Sequence, residues 1–528
     1  MRSISDLWLS IAIIHHAYIL IHGPYRPFSQ SLSTGILSNS YLLLKNTKNP
    51  PLFVVTIQME LESFIGAIAD RIIEYLNASD EPGKVSNPVP HTSLAKTSDL
   101  KLPLEGNGMD AVLDDIDAYL LSCVKTNRPE FMNPLWGGIN TAALAGEIIS
   151  TLTNTSMYTY ELAPLATLIE QTLVQRMGEL VGFLDGAGTL TTGGSNGNML
   201  GMLCARQVMV PTSTQTGIDG RSLVAYVSSE AHYSVLMAAN VIGIGHQNVI
   251  KVACDSNGCM QPEALQDEIN RTRREGQTPF CVISTAGTTV RGAFDPIRLI
   301  GDIAHSEGLW HHVDAAWGGC SQFSAEHSTL MDGVEFADSV CWDAHKMMGI
   351  PLICSAFLVK DSEVLARVCA HGNVAHYLFH EESRNIDAGR YSLQCGRRND
   401  ALKLWLAWRE CGDAGWAAQV ERYMELASHL ESLVLDHPHL EMMSTRMWTN
   451  VCFRLNPDGF VGDLNELNTE VRKRVMHNGN FMVSRSNIGD DVIFRAVIAN
   501  PKISSESLER LVDEISLLSE EVVRGLPN

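Results

Sequence analysis

The stretch Cys341–Ile350, CWDAHKMMGI, decides the fold. Lys346 stands between His345 and two methionines in an otherwise apolar run. A buried lysine is costly unless it is paired, neutralised or used covalently. Upstream lie the β-type runs LVAYVSS (from Leu223), VIKVA, FCVISTAG, LWHHVDAAW and SVCWDA, with helical stretches between several of them. That alternation predicts an α/β domain on a largely parallel sheet, with DAHK at the end of one of its strands.

The chain of 528 residues exceeds what one hydrophobic core usually serves, so a large central domain with smaller units around it is expected. With 45% hydrophobic and 19% charged residues the composition is that of a globular protein, and a formal charge of −21 argues against a nucleic-acid partner. Twelve cysteines without a CxxC pair read as reduced thiols, which makes the cytoplasm the default compartment; no residue is assigned to a metal. Leu7–Ile21 is apolar but too short to span a membrane and is interrupted by His15 and His16. A signal segment is the competing reading of that run, although no clear small-residue cleavage site follows it.

Residues 1–58 differ in texture from the rest and read as an atypical extension, whereas Met59 opens an amphipathic helix. Ser79–Pro103 reads as an extended linker, and a helix is expected over Met109–Val124. From Glu161 come a helix to Leu180, a Gly-rich turn and a helix through Arg206, then the strand alternation. Beyond Lys360 this gives way to helices over Asn399–Glu410 and Trp416–Leu435, a strand-rich portion ending in VIFRAVIAN, and a final helix. The expected division is 59–150 as a helical segment, 151–370 as the large domain and 371–528 as a mobile-loop region with a small C-terminal α+β domain.

Four features fall at strand ends, where open parallel sheets bind ligands: TTGGSNGN (Thr191–Asn198), SSEAHYS (Ser228–Ser234), HVDAAWGG (His312–Gly319) and DAHK (Asp343–Lys346). TTGGSNGN precedes a predicted helix, so its amides and the Ser195 hydroxyl suit a phosphate, although it matches neither GxGxxG nor the P-loop. Alone, each feature has a plain structural reading: a turn, a core histidine at His232, a helix cap or buried ion pair at Asp314.

Together, and with NTSMYTYELAPLATLIE, TTGGSNGNML, STAGTTVRGAFDPI, HKMMGIPLICSAFLVK and SLQCGRRNDALKLWLAW, the chain resembles the pyridoxal-phosphate-dependent group II amino-acid decarboxylases, in the glutamate and cysteine-sulfinate decarboxylase branch. The resemblance runs from roughly Pro129 to the C-terminus and excludes residues 1–58. It implies the aspartate-aminotransferase-like fold (fold type I), with a mainly parallel sheet of seven-stranded type. It implies pyridoxal 5′-phosphate as cofactor and a homodimer with a shared active site. Lys346 would form the Schiff base, kept reactive by an apolar setting that lowers its pKa. Asp314 would pair with the pyridine nitrogen, an opposite charge that shifts a pKa by about 1–3 units. His232 would stack on one face of the ring and Ala316 pack the other, with Thr288 close to the ring and Gly194, Ser195 and His345 near the phosphate. An L-amino acid would then lose its α-carboxylate as CO2.

Arg495 in FRAVIANP matches the family's arginine for a substrate carboxylate, a task suited to the guanidinium fork. The chain departs from the pattern elsewhere. Asn133-Pro134-Leu135-Trp136 replaces an Asn-Gln-Leu stretch, so Pro134 removes the glutamine's hydrogen bonds and Trp136 narrows the pocket. A shorter acid than glutamate, such as aspartate or cysteine sulfinate, is then favoured. The loop HEESRNIDAGRYS is shortened and lacks the family's protonating tyrosine at its usual place, leaving Tyr391, His376, Lys346 or water as sources of that proton. Asp343 stands where relatives carry Asn, a carboxylate near an expected phosphate. Two alternatives follow from these departures: a decarboxylating aldehyde synthase, and a catalytically silent protein of the same fold.

Overall fold

A computed structural model describes residues 52–79, 83–369 and 386–525, with side chains from Leu61 onward. Two compact units are distinguished, one of residues 1–73 and 107–113, the other of 74–106 and 114–528. Of the first, the described parts are stretches of the helices Leu52–Ala78 and Met109–Ser122. The earlier of these begins at Leu52, ahead of the expected start at Met59. The expected linker holds a short helix, His91–Thr97.

The second unit carries all twelve strands found among the described residues: β1 (Phe131–Met132), β2 (Ala187–Thr191), β3 (Leu223–Ser228), β4 (Val249–Val252), β5 (Thr278–Thr285), β6 (Trp310–Asp314), β7 (Ser339–Trp342), β8 (Ser355–Val359), β9 (Leu440–Met442), β10 (Asn450–Leu455), β11 (Met482–Ile488) and β12 (Asp491–Val497). They form a seven-stranded sheet, β2-β8-β7-β6-β5-β3-β4, and a five-stranded sheet, β1-β11-β12-β10-β9. In the larger sheet β7, β6, β5, β3 and β4 are mutually parallel, and only β8 runs against its neighbours. The chain thus has the expected α/β architecture of fold type I.

Strands β3, β6 and β7 are buried along their whole length. This is what a parallel sheet covered on both faces requires, and it explains the near-continuous apolar sequences of β3 and β7. Successive side chains go to opposite faces. Val313 and Val340 join a cluster with Trp317 and Trp342, while Cys281 and Ile283 join Leu200, Ala225 and Phe357. The first cluster continues into Val451, Phe453 and Phe494 of the smaller sheet, so the two sheets share one core.

Two differences from the expected layout matter for the site. The helices over 399–435 are one element, Ala401–Asp436, broken at Gly412, whose φ of 63° and ψ of −178° are non-helical. Strand β1 lies in the segment read as helical, yet it pairs in parallel with β11 near the other end of the sequence, Phe131 opposite Met482. Such a two-residue strand has no pattern of its own to read, because its partner supplies the hydrogen bonds.

Candidate active site

The carboxyl ends of β3, β5, β6 and β7 converge on one cavity of 280 Å³, as the topology of open parallel sheets dictates. Its lining includes Gly194, Ser195, His232, Asp314, Ala316, His345, Lys346 and Trp136. Register explains part of this: Thr285 of β5 lies opposite Asp314 of β6, and Asp314 opposite Cys341 of β7.

Asp314 is 6% exposed, and its carboxylate is fixed by donors. Oδ1 accepts from the Ala316 amide (3.1 Å) and Oδ2 from the Asn198 side-chain amide (2.8 Å). Behind it a chain of polar groups runs into the sheet. The Asn198 oxygen meets His312 Nε2 at 3.0 Å, His312 Nδ1 meets Ser339 Oγ at 2.8 Å, and Trp310 Nε1 donates to Ser339 Oγ at 2.9 Å. Burial pushes the His312 imidazole down to about 4, so at neutral pH it is uncharged. Since the Asn198 oxygen only accepts, His312 carries its proton on Nε2.

Lys346 Nζ lies 3.1 Å from Asp343 Oδ2, its side chain 20% exposed and that of Asp343 3%. Here the expectation of a lysine lowered by apolar surroundings is corrected. Burial does pull its value down, but the charges of Asp343 and Asp314 outweigh that, and Lys346 is held above the ordinary lysine value. The methionines that dominate the sequence around Lys346 line no part of the cavity. Met347 and Met348 turn into the core instead.

His232 is held below its ordinary value, chiefly by burial, with Asp314 opposing and Lys346 adding to it. Its Nδ1 accepts from the Ser234 amide (3.3 Å), which fixes the ring, and its centroid lies 4.3 Å from that of Tyr233. A neutral imidazole presents a flat face with no charge of its own. Ala316 is 8% exposed in the same cavity.

Gly193, with φ of 108°, makes the turn into the helix Gly194–Met209, a conformation that suits glycine. The amides of Asn196 and Gly197 both bond the Gly193 carbonyl, leaving those of Gly194 and Ser195 without a helical partner. His345 Nδ1 meets the Cys354 carbonyl at 2.8 Å and so carries the ring proton, and its Nε2 lies 3.7 Å from Asp343. Burial lowers His345 as well.

Three expected positions lie elsewhere. Thr288 is fully buried and its hydroxyl accepts from the Ala293 amide (3.0 Å), which closes the turn after β5; Thr289 and Thr285 line the cavity in its place. Asn133 and Arg495 are not in the lining. Arg495 donates through Nη1 to the Thr289 carbonyl (2.7 Å), and through Nη2 to the Asn133 carbonyl (3.1 Å) and Ser484 Oγ (2.9 Å). Both of its terminal nitrogens are thus engaged at the rim, next to the cavity and outside its lining. Its buried Nε has no partner. Trp136 does line the cavity and packs on Phe131 with centroids 5.4 Å apart. Of the loop 380–392 only the part from Ile386 is among the described residues, and His376 is outside them. Tyr391 packs against the core and is not in the lining.

Asn198 and Thr285 were not singled out in the sequence. Asn198 had a readable signal, since it lies four positions after Gly194 and so on the same helix face. Thr285 lines the cavity, and its Oγ1 is buried without a hydrogen-bond partner.

The family model described as the pyridoxal-dependent decarboxylase conserved domain matches residues 90–456. The chain is 35% identical over 477 residues to the acidic amino acid decarboxylase GADL1 of Bos taurus, covering 87% of this chain and 91% of that one. It is 35% identical over 483 residues to the cysteine sulfinic acid decarboxylase of Mus musculus, covering 89% and 97%. The crystal structure of mouse CSAD superposes with a TM-score of 0.83 at 34% identity, over 89% of this chain and 99% of that one.

Proposed function

The chain belongs to the pyridoxal-dependent decarboxylases, and from that premise we propose that it converts a small acidic L-amino acid to the corresponding amine and CO2. Aspartate and cysteine sulfinate are the preferred candidates, ahead of glutamate, because Trp136 stands in the cavity wall. The family's cofactor is pyridoxal 5′-phosphate, which when bound supplies an electron sink for the pair left by the departing carboxylate.

The residues present fit that group. Lys346 is the anchor for its aldehyde, Asp314 the partner of its ring nitrogen, His232 and Ala316 the groups against its two faces. Gly194, Ser195 and His345 are assigned to the phosphate, and the unpartnered Thr285 Oγ1 adds a hydroxyl. The observation that carries this reading is the placement of the Lys346 amine and the braced Asp314 carboxylate in one cavity beside the Gly193–Ser195 turn. The Asn198–His312–Ser339 chain keeps the Asp314 oxygens aimed.

Arg495 is the proposed source of selectivity for acids. It already grips the carbonyl of the lining residue Thr289, and its Nε–H and one Nη1–H remain to be used. A homodimer is proposed because Ile148, Leu152 and Leu165 expose 47%, 77% and 68% of their surface on helices Thr141–Thr153 and Pro164–Leu180. The cytoplasm is proposed because all twelve cysteines are free. Among the described residues no helix is long and apolar enough to cross a membrane.

The test is an end-point screen of purified protein with pyridoxal 5′-phosphate against aspartate, cysteine sulfinate, glutamate and aromatic amino acids, following CO2, amine, aldehyde and peroxide. CO2 with amine from acidic substrates is expected. Turnover of aromatic substrates alone would reject the acidic assignment, and aldehyde with peroxide would establish the oxidative alternative.

A further inference from the structure

Both carboxylate oxygens of Asp343 lie against the first residue of the helix Gly194–Met209. A Cβ built on Gly194 would come 2.8 and 3.0 Å from them. The same helix start, with the amides of Gly194 and Ser195, is where the cofactor's phosphate is assigned. Two anionic groups would therefore stand against one end of a helix dipole.

One of the groups around Asp343 is a cation. Ser355 Oγ donates to Oδ1 and fixes its direction, and Lys346 Nζ pairs with Oδ2. His345, neutral with its proton on Nδ1, turns an unprotonated Nε2 towards Asp343 at 3.7 Å and donates nothing to it. Asp314 and His232 share the cavity, one a second carboxylate and the other uncharged. The single ammonium thus serves two carboxylates before any phosphate arrives.

We propose that Asp343 sets a weak hold on the cofactor's phosphate, so that this enzyme exchanges its cofactor where an uncharged side chain at the same position would retain it. The inference rests on the assignment of the phosphate to the Gly193–Ser195 turn. Asp343→Asn preserves shape and the oxygen that accepts from Ser355, and removes the charge together with the oxygen that pairs with Lys346. Ser355→Ala removes that hydrogen bond and leaves the charge.

Dissociation constants for pyridoxal 5′-phosphate and for pyridoxal, which lacks the phosphate, are measured by equilibrium dialysis for wild type and both variants, with thermal unfolding as a check on folding. In Asp343→Asn the preference for the phosphorylated form over pyridoxal is expected to rise at least tenfold, and in Ser355→Ala to stay within twofold of wild type. An unchanged or reduced preference in Asp343→Asn overturns the proposal, as does an equal rise in Ser355→Ala, which would assign the effect to local packing. Should wild type bind both compounds equally, the phosphate assignment itself falls and the proposal with it. Tight binding of pyridoxal 5′-phosphate by wild type with no gain in Asp343→Asn would reject the proposal alone.

Discussion

The floor and the rim of the cavity are built differently. The floor, from Asp314 through Asn198 and His312 to Ser339, comes from three neighbouring parallel-sheet positions and one helix, and every member is buried. The rim joins Asn133 to Ser484 and Arg495, residues about 350 positions apart in sequence, through hydrogen bonds among partly buried groups, with Trp136 beside them in the cavity wall. A floor held by sheet register cannot shift without breaking ladder hydrogen bonds. The rim is fastened by a few side-chain contacts and can be re-aimed. Chemistry common to a family is therefore expected of the floor, and choice of substrate of the rim.

The strongest way to break this contrast is Lys346→Ala at the floor's edge. It should abolish the visible absorbance of bound cofactor and lower decarboxylation by roughly 10⁴-fold, the upper range for a positioned proton-transfer group. Activity within tenfold of wild type would remove Lys346 from its assigned role.

A smaller effect is expected from His312→Gln, read as stability against pH. The His312 value in the folded chain, about 4, lies below its ordinary 6.5, so acid favours the unfolded state. Its contribution is complete above pH 6.5 and is lost as pH falls towards 4, amounting to roughly 3 kcal/mol at about 1.4 kcal/mol per unit. Asp295, buried and pushed up to about 7, acts in the opposite sense by taking its proton first in the folded state as pH falls. The variant should accordingly lose less stability than wild type between pH 6.5 and 4 in urea titrations. Parallel curves would show that the imidazole is not held neutral.

The rim gives the smallest effect. Arg495→Lys keeps charge but loses the fork, and should raise KM for an acidic substrate about tenfold, the value of one charge-assisted hydrogen bond, with kcat little changed. A fall in kcat and in cofactor affinity, with KM unchanged, would instead make Arg495 only a fastening between Thr289 and Asn133.

How much of this was legible beforehand follows the same division. The parallel sheet, the Gly193 turn and the strand-end positions of Asp314 and Lys346 were readable because each rests on a local pattern: alternation, glycine at a sharp turn, a polar residue ending an apolar run. Thr288 could not be told from its neighbour in the sequence because β5 is followed by two adjacent threonines, Thr288 and Thr289, and only the turn back to Ala293 decides which lines the cavity. The pairing of β1 with β11 could not be read from two residues.

The sequence by itself thus determined the parallel α/β class, through local periodicity, and, through its family motifs, the fold type and the cofactor, with Lys346 as the proposed anchor. The tertiary structure decided that Lys346 is held as an ammonium, that Arg495 fastens the rim, and that Asp343 lies against the helix start. The reason is physical. Ionisation and side-chain aim depend on burial and on charges brought within a few ångströms by the packed chain, and neither is encoded in the flanking residues.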